Sequence, residues 1–225
     1  MKRAAYETLV ADRKACRLCA PDLRNPSEWP DLDSQEIGPW SIWQGNLDAE
    51  IMLVGQDWGD DDFFTRNGGN EEGVYNPTNN TLAKLLASIG VGVEPPRADP
   101  GHGSLFFTNS ILCLKAGGLQ ADVRSAWFKN CAPYLRRQIE IVQPRVVVAL
   151  GEKASRAVCR SFGLRAAPRF RDAVEAPGSD TLPSGSLLVA VYHCGALGQV
   201  TRPLAVQLED WRRIGARLSR ECGLV

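Results

Sequence analysis

The sequence predicts an α/β fold in which three α/β/α layers are built around a central four-stranded parallel sheet. Four short apolar runs have the length and residue types of buried strands, and stretches with helical spacing lie between them. Strands that alternate with helices form parallel sheets covered by helices on both faces. A length of 225 residues fits a single domain, 1–225, with the cysteine-bearing segment 1–50 packed on it.

The predicted strands are the apolar runs 51–55, 105–109, 146–150 and 187–192. The first helix follows from leucine and isoleucine side chains at helical spacing over 82–89. We expect Asn79 or Asn80 to be its N-cap, and Gly90 lies just past its end.

Three further helices complete the prediction. Apolar residues at helical spacing cover 134–142, where Pro133 suits a first helical turn. The alanine-rich stretch that follows Gly151, up to Phe162, is another candidate, and a last helix begins at Pro203 and carries apolar residues as far as 218.

The net charge is zero, because 26 Lys and Arg balance 26 Asp and Glu, but the charges are unevenly distributed. Residues 28–72 carry twelve acids and one base, whereas residues 115–160 carry nine bases and three acids. This polarity suits an anionic partner on one face, although solvated helix surfaces explain the same pattern. With 44% hydrophobic and 23% charged residues, the composition argues against a disordered or fibrous chain.

Membrane and nucleotide partners are not expected. The longest apolar runs are far shorter than the roughly 20 residues of a membrane helix, and the basic N-terminus lacks the apolar core of a signal peptide. The strand ends carry neither a G-x-G-x-x-G turn nor a Walker lysine pattern. The sequence therefore predicts a cytoplasmic protein, a monomer, without a nucleotide cofactor.

Seven cysteines, an odd number without a secretion signal, argue against a disulfide framework. Cys16 and Cys19 form a C-x-x-C pair, which alone is a weak metal signal. The residues by themselves leave zinc and an iron–sulfur cluster open.

Three polar side chains follow separate predicted strands: Asp57, Asn109 and His193. Parallel sheets bind ligands at the carboxyl ends of their strands, so these side chains should share one edge. There a carboxylate could orient water, an amide could bind a base, and an imidazole could stabilise a leaving anion. Each residue also has a structural explanation, as a turn cap, a loop partner or a packed histidine, but the coincidence of all three favours a site.

Five sequence blocks occur in an order that resembles the uracil-DNA glycosylase superfamily, most closely its iron–sulfur members, often called family 4. They are the C-x-x-C at 16–19, the segment 45–55, the block 107–113, the run 131–151 and the pair Tyr192-His193. The start Gly55-Gln56-Asp57 instead resembles the strictly uracil-specific branch. The resemblance covers nearly the whole chain and implies a DNA glycosylase that flips uracil from DNA and hydrolyses its N-glycosidic bond to start base excision repair.

The resemblance also implies roles for individual residues. Asp57, as the water-activating carboxylate, and His193, as the donor to uracil O2, would be catalytic. The base-binding positions would be Gln56, Gly59, Tyr75 and Asn109, with Phe63 or Phe64 as alternatives to Tyr75. Leu197 resembles the wedge that fills the space left by the flipped nucleotide, and phosphate contacts are expected from Lys115, Arg124 and Arg202. The four cysteines Cys16, Cys19, Cys113 and Cys131 match the ligands of a [4Fe–4S] cluster, which the resemblance favours over zinc.

Two departures concern specificity. Gly59 stands where the strict uracil enzymes carry a tyrosine against the C5 edge of the base, so 5-hydroxymethyluracil is an expected second substrate. Trp58 replaces a proline and could fill the same space.

Two alternatives remain open from sequence: a superfamily member that binds uracil-DNA with little turnover, and an iron–sulfur redox or regulatory protein.

Overall fold

The computed structural model describes residues 1–69, 76–93, 103–118, 121–176 and 180–223. Its strands are β1 (Leu23–Arg24), β2 (Ile51–Gly55), β3 (Phe106–Asn109), β4 (Leu114–Lys115), β5 (Val146–Leu150), β6 (Asp180–Thr181) and β7 (Leu187–Val191). Its α-helices are α1 (Lys2–Ala15), α2 (Pro39–Trp43), α3 (Asp61–Arg66), α4 (Pro77–Ala87), α5 (Ser125–Val142), α6 (Glu152–Ser161), α7 (Phe170–Glu175), α8 (Ala196–Thr201) and α9 (Leu204–Cys222).

The central sheet has the strand order β3-β2-β5-β7-β6. Its first four strands pair in parallel and are the four strands that the sequence predicts, so the predicted fold class is confirmed. The short strand β6 adds an antiparallel edge next to β7 that the sequence did not predict. Two residues are too few to give a recognisable alternation.

Two hydrophobic clusters cover the two faces of this sheet. Along β2, Met52 and Val54 contribute to one cluster, and Ile51 and Leu53 contribute to the other. The first cluster includes apolar residues of α1, α5 and α6, and the second includes those of α2, α4 and α9. All five residues of β2 are buried, as expected for a parallel strand covered on both faces.

The N-terminal helix α1 is attached to the sheet layer by apolar and charged contacts. Tyr6 is fully buried and packs edge-on against Phe106 of β3, with ring centroids 6.0 Å apart. Arg13 makes a buried ion pair with Asp33, at 2.8 Å from Nη1 to Oδ1. Asp33, which belongs to the acid-rich residues 28–72, therefore neutralises the charge of Arg13 in α1.

Two predicted helix boundaries are wrong. The N-cap of α4 is Asn76, whose side chain accepts from the backbone N–H groups of Thr78 and Asn79, so neither Asn79 nor Asn80 is the cap. Pro133 lies inside α5 rather than in a first turn, because the helix begins at Ser125. Earlier apolar residues of α5, such as Trp127 and Phe128, are buried and extend the helix towards its N-terminus.

A small ribbon outside the central sheet connects the N-terminal segment to the loop that follows β3. Its strands β1 and β4 are antiparallel, with Leu23 opposite Lys115 and Arg24 opposite Leu114. Within the described ranges, every helix is too short or too polar to cross a membrane.

Candidate active site

The loop that follows β2 fixes the Asp57 carboxylate. Its Oδ1 accepts from the Gly59 backbone N–H at 3.2 Å and from Lys115 Nζ at 3.1 Å. Its Oδ2 accepts from Gln56 Nε2 at 2.5 Å. The side chain is only 7% exposed, so its orientation is set by the protein rather than by solvent.

Lys115 lies in this site, not on the surface predicted to contact DNA phosphate. The side chain is 2% exposed, and its ammonium pairs with Asp57. The phosphate contact predicted for Lys115 is therefore wrong, because a buried ammonium cannot reach the DNA backbone. Sequence reasoning missed this role because nothing in a lone basic residue after Cys113 indicates a partner 58 positions away.

Asn109 ends β3 beside Gly55, the last residue of β2. Its side chain is buried, and Oδ1 has no hydrogen-bond partner among the described residues. A Cβ on Gly55 would stand 2.3 Å from this Oδ1 and 2.8 Å from Trp40 Cζ3. The glycine therefore provides the space in which the amide lies.

His193 follows β7 in a buried setting that favours the neutral form of its imidazole. Burial lowers the pKa of His193 below the usual 6.5, and the negative charge of Asp57 opposes this shift. Nδ1 accepts from the Gly195 backbone N–H at 3.0 Å. Because Nδ1 is an acceptor, the proton of the neutral ring lies on Nε2, which can donate to a ligand.

The turn after His193 depends on two glycines. A Cβ at Gly195 would lie 2.8 Å from His193 Cε1, and a Cβ at Gly198 would lie 1.8 Å from the His193 carbonyl oxygen. Gln199 closes the same turn, donating from Nε2 to the Cys194 carbonyl at 2.9 Å. The small residues let the chain wrap tightly around the imidazole.

Gly59 and Trp58, the two residues after Asp57, have different structural roles: the glycine allows an unusual backbone conformation, and the tryptophan packs in a small apolar cluster. Gly59 has a φ of 112°, a backbone region that favours glycine. Trp58 is buried and packs edge-on against Phe64, with ring centroids 5.6 Å apart, in a small cluster with Leu114. The indole and the Phe64 ring are thus both engaged in packing. Phe64, one of the predicted alternatives to Tyr75, is therefore not free to stack on a base.

The predicted DNA-binding residues lie in different settings. Leu197 is 66% exposed on α8, and it lies four residues after His193 in the chain. Arg202 makes a bidentate ion pair with Asp210, at 2.8 and 2.7 Å, so its guanidinium is already engaged within the protein. Arg124 is exposed and pairs with Asp22. Tyr75, the predicted stacking residue, lies outside the described residues.

One cavity is surrounded by the four cysteines that the sequence predicted as metal ligands. Cys16, Cys19, Cys113 and Cys131 lie around it, together with Asn130. Asn130 Nδ2 donates to Cys19 Sγ at 3.3 Å. Burial raises the pKa of Cys131 to about 12 and raises that of Cys113 further. Within the described ranges, no three His, Cys, Asp or Glu side chains converge closely enough to hold a single metal ion.

Together these elements define a class of protein: an α/β/α fold that presents a fixed carboxylate, an amide acceptor and a neutral imidazole donor where parallel strands end. Such a site suits the binding of a planar polar ring and the stabilisation of negative charge that develops on it. The chain belongs to the uracil DNA glycosylase superfamily, whose family model matches residues 42–213. This confirms the superfamily that the sequence motifs indicated.

Two curated relatives have comparable lengths. A type-5 uracil-DNA glycosylase of Pyrobaculum aerophilum is 29% identical over 219 residues, which cover 91% of this chain and 89% of the relative. A type-4 uracil-DNA glycosylase of Archaeoglobus fulgidus is 27% identical over 173 residues, which cover 76% of this chain and 78% of the relative.

Proposed function

We propose that this protein is a DNA glycosylase that hydrolyses the N-glycosidic bond of uracil in DNA. The observation that supports the proposal is that Asp57, Asn109 and His193 lie at the carboxyl ends of three parallel strands of a uracil DNA glycosylase fold, with the Asp57 charge acting on His193. The names of the relatives support the same substrate. Because a duplex hides the glycosidic bond, the nucleotide must be flipped into this site before cleavage.

Asn109 would recognise the flipped base. Its buried Oδ1 has no partner among the described residues, and an unmade hydrogen bond of this kind costs about 1–3 kcal/mol. The N3–H of uracil would donate to Oδ1, and the amide N–H₂ would donate to O4. A base that offers an acceptor at position 3 would leave Oδ1 without its donor, so cytosine should bind less well than uracil.

His193 would stabilise the leaving base. Cleavage leaves negative charge on uracil, part of it at O2, and a fixed donor there lowers the barrier. The Nε2–H of the neutral imidazole is such a donor, since Nδ1 is already used by the Gly195 N–H. The Gln56 backbone N–H would add a second donor to the same oxygen.

Asp57 would orient the attacking water and stabilise the cationic sugar. Its carboxylate is held through both oxygens, which fixes its position before substrate binds. A prepositioned group avoids reorganisation during the reaction, and removal of a catalytic carboxylate costs about 10²-fold or more.

Leu197 would stabilise the flipped state. Its side chain is exposed on the short helix that follows His193, so the wedge and the imidazole belong to one turn of chain. Insertion of an apolar side chain into the base stack offsets part of the unstacking energy.

The cysteine cavity would hold a [4Fe–4S] cluster. Cys16, Cys19, Cys113 and Cys131 line one cavity without converging on a single point, and each would bind one iron. When bound, the cluster would supply structural cross-linking rather than the cleavage chemistry.

An incision assay tests the function directly. A labelled oligonucleotide with one uracil is incubated with the protein and then with hot alkali, which breaks the strand at abasic sites. Strand breakage that depends on both uracil and protein is the expected result. Retention of the DNA in a gel shift without breakage would instead identify a uracil-DNA-binding protein with little turnover.

A further inference from the structure

Lys115 makes an ion pair with the Asp57 carboxylate, and no step of the proposed reaction uses this lysine. The ammonium lies 3.1 Å from Asp57 Oδ1, and the two side chains are 2% and 7% exposed. Placing both charges in the interior carries a desolvation cost of several kcal/mol per ion unless geometry compensates it. An ion pair retained at that cost beside the reacting group points to a function.

The backbone around Lys115 holds its side chain in place. The Lys115 N–H donates to the Gly59 carbonyl at 3.2 Å, which ties it to the same loop that carries Asp57. On the other side, Lys115 pairs with Leu23 in the β1–β4 ribbon. Cys113, which lines the cysteine cavity, is two residues earlier in the chain. The backbone of Lys115 is thus held on one side by the loop that carries Asp57, and it follows closely on a residue that lines the cysteine cavity.

The contacts of Asp57 leave little freedom for a water. A carboxylate offers about four acceptor positions. The Gly59 N–H and Lys115 Nζ use Oδ1, and Gln56 Nε2 uses one position of Oδ2. The remaining position, on Oδ2, selects one direction in which a water can be held.

We propose that Lys115 is a positioning residue for the reaction: it locks Oδ1 of Asp57 so that Oδ2 presents a single, fixed acceptor to the attacking water. The proposal rests on the proposed function, in which Asp57 orients that water. A cation beside the carboxylate also opposes the positive charge that develops on the sugar. The benefit of Lys115 must therefore come from geometry, and it must exceed this electrostatic opposition.

The test measures single-turnover uracil release and affinity for uracil-DNA separately. The variants are Lys115→Met, Lys115→Arg, Asp57→Asn and the double variant Lys115→Met/Asp57→Asn. Lys2→Met is the matched control, because it also removes a lysine that makes an ion pair and hydrogen bonds to two carbonyls, far from this loop in the fold. Melting curves for each variant set the assay temperature well below unfolding.

We expect Lys115→Met to lower the single-turnover rate about 10- to 100-fold with affinity for DNA changed less than about 3-fold. Lys115→Arg should recover most of the rate, and Lys2→Met should keep all of it. In the Asp57→Asn background, Lys115→Met should add little further loss, because the two residues act as a unit.

Three results would overturn the proposal: a Lys115→Met rate equal to or above wild type, a loss of DNA affinity that accounts for the whole effect, or an undiminished loss in the Asp57→Asn background. Failure of the proposed function gives a different result, since the wild-type protein itself would then release no uracil.

Discussion

Gly55 and Asn109 stand opposite each other at the ends of neighbouring parallel strands, so close that the glycine must lack a side chain. A Cβ on Gly55 would lie 2.3 Å from Asn109 Oδ1, well inside contact distance. Strand β2 thus leaves space for the amide side chain that projects from the end of β3. In the proposed function, this places base recognition on two buried strands of the sheet rather than on a loop.

Gly55→Ala should impair base recognition more than it impairs folding. The added methyl group would displace either the Asn109 amide or the Trp40 ring, which lies 2.8 Å from the Cβ position. We expect single-turnover uracil release to fall at least about 10-fold, since a misplacement of about 1 Å can cost more than this. Gly38→Ala is the matched control, because nothing lies within 4 Å of its Cβ position. Equal rates for the two variants would contradict this role of Gly55.

His193 should remain neutral at pH values where an ordinary histidine is protonated. Burial lowers its pKa from 6.5, so the folded protein binds fewer protons than the unfolded chain as the pH falls below that value. The contribution of His193 to folding stability should therefore decrease from about pH 6.5 downwards. Long-range ¹H–¹⁵N NMR at pH 7 should find the His193 ring protonated at Nε2 and unprotonated at Nδ1.

The chain has only two histidines, so His102→Gln assigns the His193 signals. A ring that titrates at or above 6.5, or that carries its proton on Nδ1 when neutral, would remove the donor that the proposed mechanism requires.

Much of the fold could be predicted from sequence because its strands are continuous apolar runs. Because β2 and β5 are buried on both faces, they contain no polar residue. Such a run can be recognised in the sequence without knowing which strands lie next to it. The positions of Asp57, Asn109 and His193 followed from the strand ends.

The contacts of the site could not be predicted, because they depend on tertiary packing. The ion pair of Lys115 with Asp57 joins residues from separate loops, and a lysine in a basic segment gives no sign of burial. The N-cap at Asn76 was missed because several asparagines lie together in this stretch, and the local sequence does not distinguish among them. The engagement of Arg202 by Asp210 likewise requires the turn between α8 and α9.

Trp58 should act as a packing residue rather than as a gate for the base. Its indole is 8% exposed and lies against Phe64 and Leu114, so Trp58→Ala should lower the unfolding free energy by about 3–5 kcal/mol. We expect the ratio of uracil to 5-hydroxymethyluracil and thymine turnover to change little. Trp58→Phe is the control that keeps an aromatic ring and removes the indole N–H, which is buried without a partner among the described residues.

A gain of thymine or 5-hydroxymethyluracil turnover in Trp58→Ala, absent from Trp58→Phe, would identify the indole as the gate. Gly59→Tyr is a poor probe of the same question, because the φ of 112° at Gly59 strains any side chain placed there.

The protein purified without oxygen should contain about four irons per chain, as a four-cysteine cluster implies. Cys113→Ala should lose the iron, the brown colour and much of the thermal stability, because the cavity joins the N-terminal segment to α5 and the end of β3. Cys159→Ala, which changes a buried cysteine on α6 outside the cavity, should keep all three. One zinc and no iron per chain would contradict the cluster while leaving the glycosylase proposal in place.

Asp57→Asn gives the most direct test of the central claim, that a carboxylate fixed at the end of β2 drives hydrolysis of the glycosidic bond. The change leaves the Lys115 ammonium opposite a neutral amide, so some loss of stability is expected. Asp33→Asn is the matched control, because it breaks the buried ion pair with Arg13 away from this site.

Single-turnover uracil release and affinity for uracil-DNA are measured for both variants below their melting temperatures. The account predicts that Asp57→Asn lowers the release rate about 10²-fold or more while it still binds uracil-DNA, and that Asp33→Asn releases uracil at the wild-type rate. Release by folded Asp57→Asn at a rate near wild type would contradict it.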